Sequence, residues 1–391
     1  MKSKRRSTVC RHSALIGSGT LLALAVAQIL VTSPAQARLL TDRPAPATGW
    51  RVSASVSVKG ELTILTQLSA DSASDAWATG ISVGHAKNHP VIEHWTGKAW
   101  RRVRLSDSLL KGFDQGTNFL ATIGAASAHD VWIFSGKRQY LRLKGSHWTK
   151  GRLPSQPSGD LVPQSVQVFG PNDVWVLGCE VRSGKSARAC HAQAARFNGR
   201  SWRFFRLPGV GGLAAVSALS ANDIWTIDRT RGARSQAIVH WNGTTWRRMP
   251  VEPALPAGAD LSAIAAISDS DIWVGGSGPN SKHGSYELLR HWNGRAWVAD
   301  NPAVKLTSRQ RFVEDLVSDG TGGIWDLASS GNYDDSPLLR HFSHGRWQAP
   351  VKVDWILISL APIPGTASTW GVGTSENVNR GLIVLHGPKP H

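Results

Sequence analysis

Asp271-Ile272-Trp273, followed after a loop by Leu288-Leu289-Arg290-His291-Trp292-Asn293-Gly294-Arg295-Ala296-Trp297, is the stretch that decides the fold. The unit around it reads as four short strands, residues 261–267, 271–275, 287–293 and 296–299, rich in Val, Ile, Leu and Trp and separated by turn residues. The pattern recurs along the chain. An Asp-aliphatic-Trp element returns at Asp75-Ala76-Trp77, Asp130-Val131-Trp132, Asp173-Val174-Trp175 and Asp223-Ile224-Trp225, with degenerate copies at Gly323-Ile324-Trp325 and Ser368-Thr369-Trp370. A second Trp series falls at 50, 100, 148, 202, 246, 297 and 347. Both series have seven members and share a period of about 50 residues, which is the signature of a repeat architecture.

The second series is preceded by His94-Trp95-Thr96-Gly97, His240-Trp241-Asn242-Gly243 and His291-Trp292-Asn293-Gly294, with Arg196-Phe197-Asn198-Gly199 and His341-Phe342-Ser343-His344 as variants. Asn-Gly at a constant distance from two aromatic residues predicts a hairpin, because those residues accept the backbone angles of a tight turn. Seven four-stranded units of this length predict an all-β fold, a seven-bladed β-propeller of antiparallel blades, whose radial closure leaves few exposed edges. The termini agree. The seventh unit lacks its fourth strand, whereas the chain opens on an orphan, Gly49-Trp50-Arg51-Val52, that matches fourth strands such as Trp100-Arg101-Arg102-Val103. Pairing of that N-terminal strand with the last blade is therefore expected to close the ring.

These repeats resemble those of secreted Trp-rich propeller proteins of actinobacterial type and are similar to tectonin-like and kelch-like repeats, over residues 49–387. The tectonin likeness implies sugar binding. Ser318-Asp319-Gly320-Thr321-Gly322-Gly323-Ile324-Trp325 also resembles an Asp-box.

The chain has 391 residues, 41% hydrophobic and 18% charged, with 18 Trp against 9 Phe and 3 Tyr. That composition excludes a disordered chain, a collagen-like repeat and a small disulfide scaffold. Residues 1–37 carry Lys2, Lys4, Arg5, Arg6 and Arg11, no acid, an apolar run over 14–31, and Ala35-Gln36-Ala37. This is the pattern of a signal peptide cut after Ala37. A membrane-spanning helix is the alternative, but the run is barely long enough and is interrupted by Gly17, Ser18, Gly19 and Thr20. Arg5-Arg6 keeps a twin-arginine route open, although Ser7-Thr8-Val9 fits general export better. A linker over 38–48 and a tail over 388–391 complete the organisation. Cleavage would lower the formal charge from +17 to +12 and leave no stable membrane anchor, so the expected product is a basic, secreted monomer.

Cys10 lies in the signal segment, which leaves Cys179 and Cys190. Export to an oxidising compartment predicts a disulfide between them, with a loop-closure contribution of about 2–3 kcal/mol. A metal pair is the rival, but two cysteines without a further ligand pair do not close a site, and no metal or cofactor is expected.

Most repeated residues have structural explanations. The recurring Asp is expected to accept backbone N–H bonds in its turn, the His to make a repeated structural contact, and the Trp to pack between blades. Function is sought where the repeats differ, in the loops after second and fourth strands, which open onto one face. Many of these loops are basic: Lys137 and Arg138; Arg182, Lys185 and Arg188; Arg229, Arg231 and Arg234; Lys305, Arg309 and Arg311; and His85, Lys87 and His89. Asp334-Asp335 makes one loop acidic. The positive field predicts an anionic partner such as a cell-wall polymer, an acidic polysaccharide or an acidic protein. Nucleic acid is not expected, because no aromatic-interleaved basic module is present.

No His-Glu-x-x-His pair or phosphate-cradling loop occurs, and no catalytic residue is assigned. The alternative is a carbohydrate-active propeller, a lyase or glycosidase, with its active site at the mouth of the channel. Asp334, Asp335, Glu376 and His283 lie in loops on that side. A lectin-like protein would show exposed Trp or Tyr in these loops, whereas an enzyme would show buried carboxylates converging at the channel.

Overall fold

The computed structural model describes residues 49–84, 88–113, 120–181, 191–229, 236–250, 255–256, 258–278, 286–300, 312–329, 337–376 and 379–390. The expected signal peptide and linker lie outside the described residues. From Trp50 onward the chain is a seven-bladed β-propeller of antiparallel sheets. The first blade consists of Leu62–Ala70, Ala76–Val83, Asn88–Trp95 and Trp100–Arg102, in that spatial order. The inner strands of blades 2 to 7 are Leu120–Ser127, Asp160–Gly170, Leu213–Ser220, Asp260–Ser268, Phe312–Ser318 and Trp355–Pro362. Among the described residues one helical turn, Asp107–Leu110, follows blade 1. Among the described residues no helix is long and apolar enough to cross a membrane.

The ring closes as expected. Trp50–Val56 pairs antiparallel with Gly381–His386, with Trp50 opposite His386 and Val56 opposite Gly381, and so becomes the outer strand of blade 7. Blade 6 departs from the pattern. Its fourth strand is reduced to Arg346–Trp347, and Val351–Lys352 adds a second short pairing onto Leu338 and Leu339.

The two Trp series are the two halves of one interface. The second-strand Trp of each blade is buried and meets the outer-strand Trp of the next: Trp77 with Trp148, Trp132 with Trp202, Trp175 with Trp246 and Trp273 with Trp347, at 5.7–6.0 Å and interplanar angles of 73–89°. Trp225 and Trp297 share the corresponding cluster between blades 4 and 5. Such edge-on pairs set the positive ring edge against the negative face and contribute about 0.5–1.5 kcal/mol beyond area burial.

Inner strands are also tied directly to one another. Each carries a bulge, and residues near the bulges bond across blades. Thr122 Oγ1 in blade 2 accepts the Val166 N–H of blade 3 at 3.2 Å, and Asp315 Oδ2, at the same position of blade 6, accepts the Leu360 N–H of blade 7 at 2.8 Å. Ser69 and Ser217, each opposite the second-strand Trp of its own blade, accept from Ala125 N–H and Ala266 N–H.

The repeated Asp does something other than expected. Its carboxylate accepts from an imidazole on the third strand rather than from its own turn: His94 to Asp75 at 2.5 Å, His240 to Asp223 and His291 to Asp271 at 2.8 Å. Each of these rings lies flat on the second-strand Trp, with centroids 3.8–4.2 Å apart. Blade 3 substitutes Arg196, which donates twice to Asp173 and lies 5.3 Å from the Trp175 ring centroid. Asp, cross-strand His and Trp therefore form one stacked tier in each of blades 1, 4 and 5, which explains why their spacing recurs together there.

The Asn of the hairpins is likewise an acceptor rather than a left-handed residue. Asn242 Oδ1 receives Thr244 N–H and Thr245 N–H, and the positive φ belongs to Gly243, at 87°. The loop spans four residues, because Trp241 stands opposite Trp246.

Candidate functional site: loop face, rim and channel

Most of the basic loop positions, His85, Lys87, Arg182, Lys185, Arg188, Arg231, Arg234, Lys305, Arg309 and Arg311, lie outside the described residues. So do Cys190, His283, Asp334 and Asp335; Cys179 belongs to the second strand of blade 3, Asp173–Val181. Four basic positions are placed, the first being His89 in Asn88–Trp95, 3.4 Å from Glu61. Lys137 is exposed on the loop face. Arg138, from blade 2, contacts Asp160 at the start of blade 3 at 3.0 Å, and Arg229, from blade 4, contacts Asp260 at the start of blade 5 at 2.8 Å. Arg138 lies just before the third strand of its blade and Arg229 just after the second strand of its own, and each braces its blade to the next inner strand with its charge facing a carboxylate. Glu376 is exposed on the same face. Tyr286 is there too, 45% exposed, with its ring over Gly278, where an added Cβ would meet ring carbons at 2.2 Å.

A second basic surface is one that loop comparison did not reveal. The seven outer strands, Trp100–Arg102, His147–Arg152, Trp202–Arg206, Trp246–Pro250, Trp297–Ala299, Arg346–Trp347 and Trp50–Val56, carry ten Lys or Arg and no Asp or Glu. Eight of the ten fall on blades 1 to 4. Arg102, Arg206 and Arg248 are tied to Glu93, Glu180 and Asp228, whereas Arg101, Lys150, Arg152, Arg203 and Arg247 are exposed. Positive charge on an edge strand blocks pairing with another chain. Two such residues per strand over four neighbouring blades also make a continuous basic half-rim. The signal was readable: Trp-Arg recurs at 50, 100, 202 and 246.

The channel is the reverse of the rim. No Lys, Arg or His occurs in any inner strand, and the acids there are Asp160, Asp260, Glu314 and Asp315. Asp160 and Asp260 are the two braced by arginines. Glu314 fills the bulge of blade 6, between Val313 and Asp315 in the register. Burial pushes its pKa up to about 7; a Ser329 hydrogen bond opposes this and the Asp315 charge adds to it. Asp315 is likewise raised to about 7 by burial, against bonds from Leu360 N–H, Leu316 N–H and Ser359, with repulsion from Asp326 adding to the rise. Both residues are half-buried on the inner strand of blade 6.

Beside them lies an ion cluster between blades 5 and 6. Arg340 donates to both Asp326 and Glu287, all three being buried. Burial raises the Asp326 pKa, opposed by Arg340. Charges buried in this way need each other, because removing one leaves the others uncompensated.

Blade 6 also rebuilds the stacked tier with different residues. Gly323 stands where other blades carry Asp, and Asp319 supplies the carboxylate from four residues earlier. It accepts His341 Nε2 at 2.8 Å, Thr321 N–H at 2.7 Å and Gly323 N–H at 2.8 Å. Burial would raise the Asp319 pKa, but these bonds hold it below its ordinary value. An added Cβ on Gly323 would lie 2.5 Å from Asp319 Oδ2, so glycine makes room for the replacement. The Asp-box-like segment is thus a structural repair of the repeat.

The geometry defines a propeller with a basic half-rim, a varied loop face and an acidic channel wall. Among solved structures the chain is similar to YCF48 bound to D1 peptide, with 11% identity and a TM-score of 0.57 over 88% of this chain and 97% of that one. It is also similar to YCF48 from Cyanidioschyzon merolae, with 13% identity and a TM-score of 0.56 over 88% and 99%. The β-propeller domain of the Trilobed protease from Pyrococcus furiosus, described as having an open velcro topology, matches with 10% identity and a TM-score of 0.53 over 84% and 97%. At these identities the likeness shows the propeller fold alone. No protein-family model matches the chain, and no curated protein matches it.

Proposed function

We propose that the chain is an exported, Trp-rich propeller of the tectonin-like and kelch-like kind that serves as a monomeric binding or scaffold module for an anionic polymer. A cell-wall polymer or acidic polysaccharide fits best, and an acidic protein carries the same charge. One observation carries the reading: the outer strands hold ten Lys or Arg and no acid, concentrated on blades 1 to 4. A field of one sign over neighbouring blades attracts a polyanion and weakens with salt. The basic loops, with Lys137 among them, extend that field across the loop face, and Tyr286 offers a ring against which a sugar can stack. The peptide held by the YCF48 neighbour is consistent with a propeller that binds rather than transforms its partner. Glycoside hydrolysis needs two carboxyls on opposite sides of a sugar. Glu314 and Asp315 are consecutive on one strand, which does not favour that chemistry.

The test is a pull-down of residues 38–391 on cell-wall and acidic polysaccharide fractions over a salt series. Arg101→Ser/Arg203→Ser/Arg247→Ser should lose binding at low salt. Arg229→Ser removes a brace as well as a charge and serves as the comparison. Retention that is independent of salt, or unchanged in the triple variant, would remove the basis of this reading.

A further inference from the structure

The face opposite the loops has a charge pattern of its own, which a polymer lying on the outer strands leaves unused. In each blade the turns from first to second strand and from third to fourth strand open at this end. They span two to six residues, so no long insertion breaks the surface. Short turns repeated around a ring make a flat face.

Three of the turns between third and fourth strands carry a cation at one equivalent position: Lys98 in blade 1, Arg200 in blade 3 and Arg295 in blade 5, each after a glycine of positive φ, Gly97, Gly199 and Gly294. The turn itself fixes the equivalence. Asn198 Oδ1 accepts the Arg200 N–H at 3.0 Å and Asn293 Oδ1 accepts the Arg295 N–H at 3.1 Å, as Asn242 Oδ1 accepts the Thr244 N–H at 3.1 Å in blade 4. With the backbone pinned in this way, the residue at the position is exposed in all four blades. Blades 2 and 6 have two-residue turns, and Lys144 and Arg346 flank them on the strand ends. Blade 7 has no such turn, because its outer strand comes from the N-terminus, yet the C-terminal tail supplies Lys389. Arg51 donates to Gly387 O at 2.6 Å, Ser368 Oγ to Pro388 O at 3.0 Å, and Lys389 Nζ to Lys98 O at 3.2 Å. Six of the seven blades therefore present an exposed cation on the outer part of this face.

These six differ from arginines such as Arg138, Arg196, Arg229 and Arg248, each of which faces a carboxylate. None of the six forms an ion pair among the described residues, and Lys144 acts on the buried Asp130 only at longer range. The turns between third and fourth strands contain no Asp or Glu. Of the acids in the inner turns, Asp75 and Asp319 are buried against His94 and His341, Asp71 is half-buried, and Asp269 is exposed. Six exposed cations thus stand against one exposed acid.

Their distribution decides what fits. The cations of the outer strands crowd onto blades 1 to 4, where a flexible chain can follow them. Those of the turn face stand one to a blade around a ring, so a linear polymer meets only neighbouring members, whereas a planar array of anions meets all of them together. We propose that the turn face docks on a bilayer that contains anionic phospholipid, with Lys98, Lys144, Arg200, Arg295, Arg346 and Lys389 against the headgroup phosphates. Ammonium and guanidinium groups both donate to phosphate oxygens, and each basic residue near an anionic leaflet adds about a factor of five in affinity. None of the large apolar residues that are exposed lies in these turns, so the contact is made with headgroups and is sensitive to salt.

Co-sedimentation of residues 38–391 with phosphatidylcholine vesicles, with and without about one third phosphatidylglycerol, over a salt series tests this. Binding is expected to the vesicles that contain phosphatidylglycerol, to fall as salt rises, and to be absent with phosphatidylcholine alone. Lys98→Ser/Arg200→Ser/Arg295→Ser should weaken it by about a hundredfold, whereas Arg101→Ser/Arg203→Ser/Arg247→Ser, which removes the same charge from the outer strands, should weaken it by about threefold at most. Thr244→Lys, which puts a cation at the equivalent position of blade 4, should strengthen it by about fivefold. Thermal melts of all three variants should match the parent, because the replaced side chains are exposed. Equal losses in the two triple variants would reduce the effect to net charge and overturn the proposal. So would equal binding to both kinds of vesicle, or binding unchanged in the turn-face variant. Retention on cell-wall polymer that disappears in the turn-face variant, with vesicles left unbound, would also overturn it and give this face to the polymer. The pull-down on polymer reads the outer-strand arginines and the vesicle assay reads the turns, so the two readings fail separately.

Discussion

Trp325 of blade 6 and Trp50 of the N-terminal strand meet edge-on, with ring centroids 5.2 Å apart and planes at 78°. Their contact is the same one made within the chain at Trp77 and Trp148, but here it joins the first strand to the sixth repeat. His386 packs on both rings. Closure of the ring is therefore a packed interface as well as a run of backbone hydrogen bonds.

Replacing Trp50 by Ala should cost about 3–5 kcal/mol, the usual range for deleting a buried Trp, because it opens a cavity at the closure. Urea unfolding at constant pH measures it. A loss below about 1 kcal/mol would mean that strand pairing alone holds the ring.

Gly323→Ala should destabilise by about 1–3 kcal/mol, as overpacking does. The new methyl would meet Phe342 O at 2.1 Å and displace Asp319, breaking its bond to His341. The equivalent change of Asp271 to Ala in blade 5 leaves the turn geometry intact and removes the bond to His291, at about 1 kcal/mol. Thermal unfolding of the two variants should rank them in that order.

Glu314 and Asp315, raised from 4.5 and 3.8 to about 7, bind protons more tightly folded than unfolded. Between about pH 4 and pH 7 the folded chain keeps protons that the unfolded chain releases. The stability this pair contributes is thus present below the unfolded values and is lost as pH rises through about 7. In the double variant Glu314→Gln/Asp315→Asn the fall in melting temperature between pH 5 and pH 8 should shrink. An unchanged profile would assign the pH dependence to other groups.

Cys190→Ser should lower stability by about 2–3 kcal/mol if Cys179 and Cys190 close their loop in the exported protein. Mass measurement of alkylated, unreduced protein should find both thiols blocked from reagent. A two-thiol count would instead leave the metal pair as the reading to examine.

The period, the hairpins and the missing seventh outer strand were legible because each is a local or countable property of the chain. Two Trp series of equal length, with an orphan at Trp50, already required a ring closed by its ends. The tiers were half legible. His291 and Asp271 recur together, but their bond is made across a strand pair, so a reading confined to local turns assigns Asp271 to its own backbone.

The channel acids show where one-dimensional reading stops. Phe312-Val313-Glu314-Asp315-Leu316 is the one inner strand with consecutive acids, a signal that alignment of the seven strands would expose. Nothing in that stretch says that a bulge falls at Glu314 or that Ser329 and Ser359 meet the two carboxyls. Repetition along the chain dictated the blades, because a four-stranded unit can bury its faces only against copies of itself. Packing around the ring decided the rest, since the charge, solvation and partners of an inner-strand residue are set by blades far away along the chain.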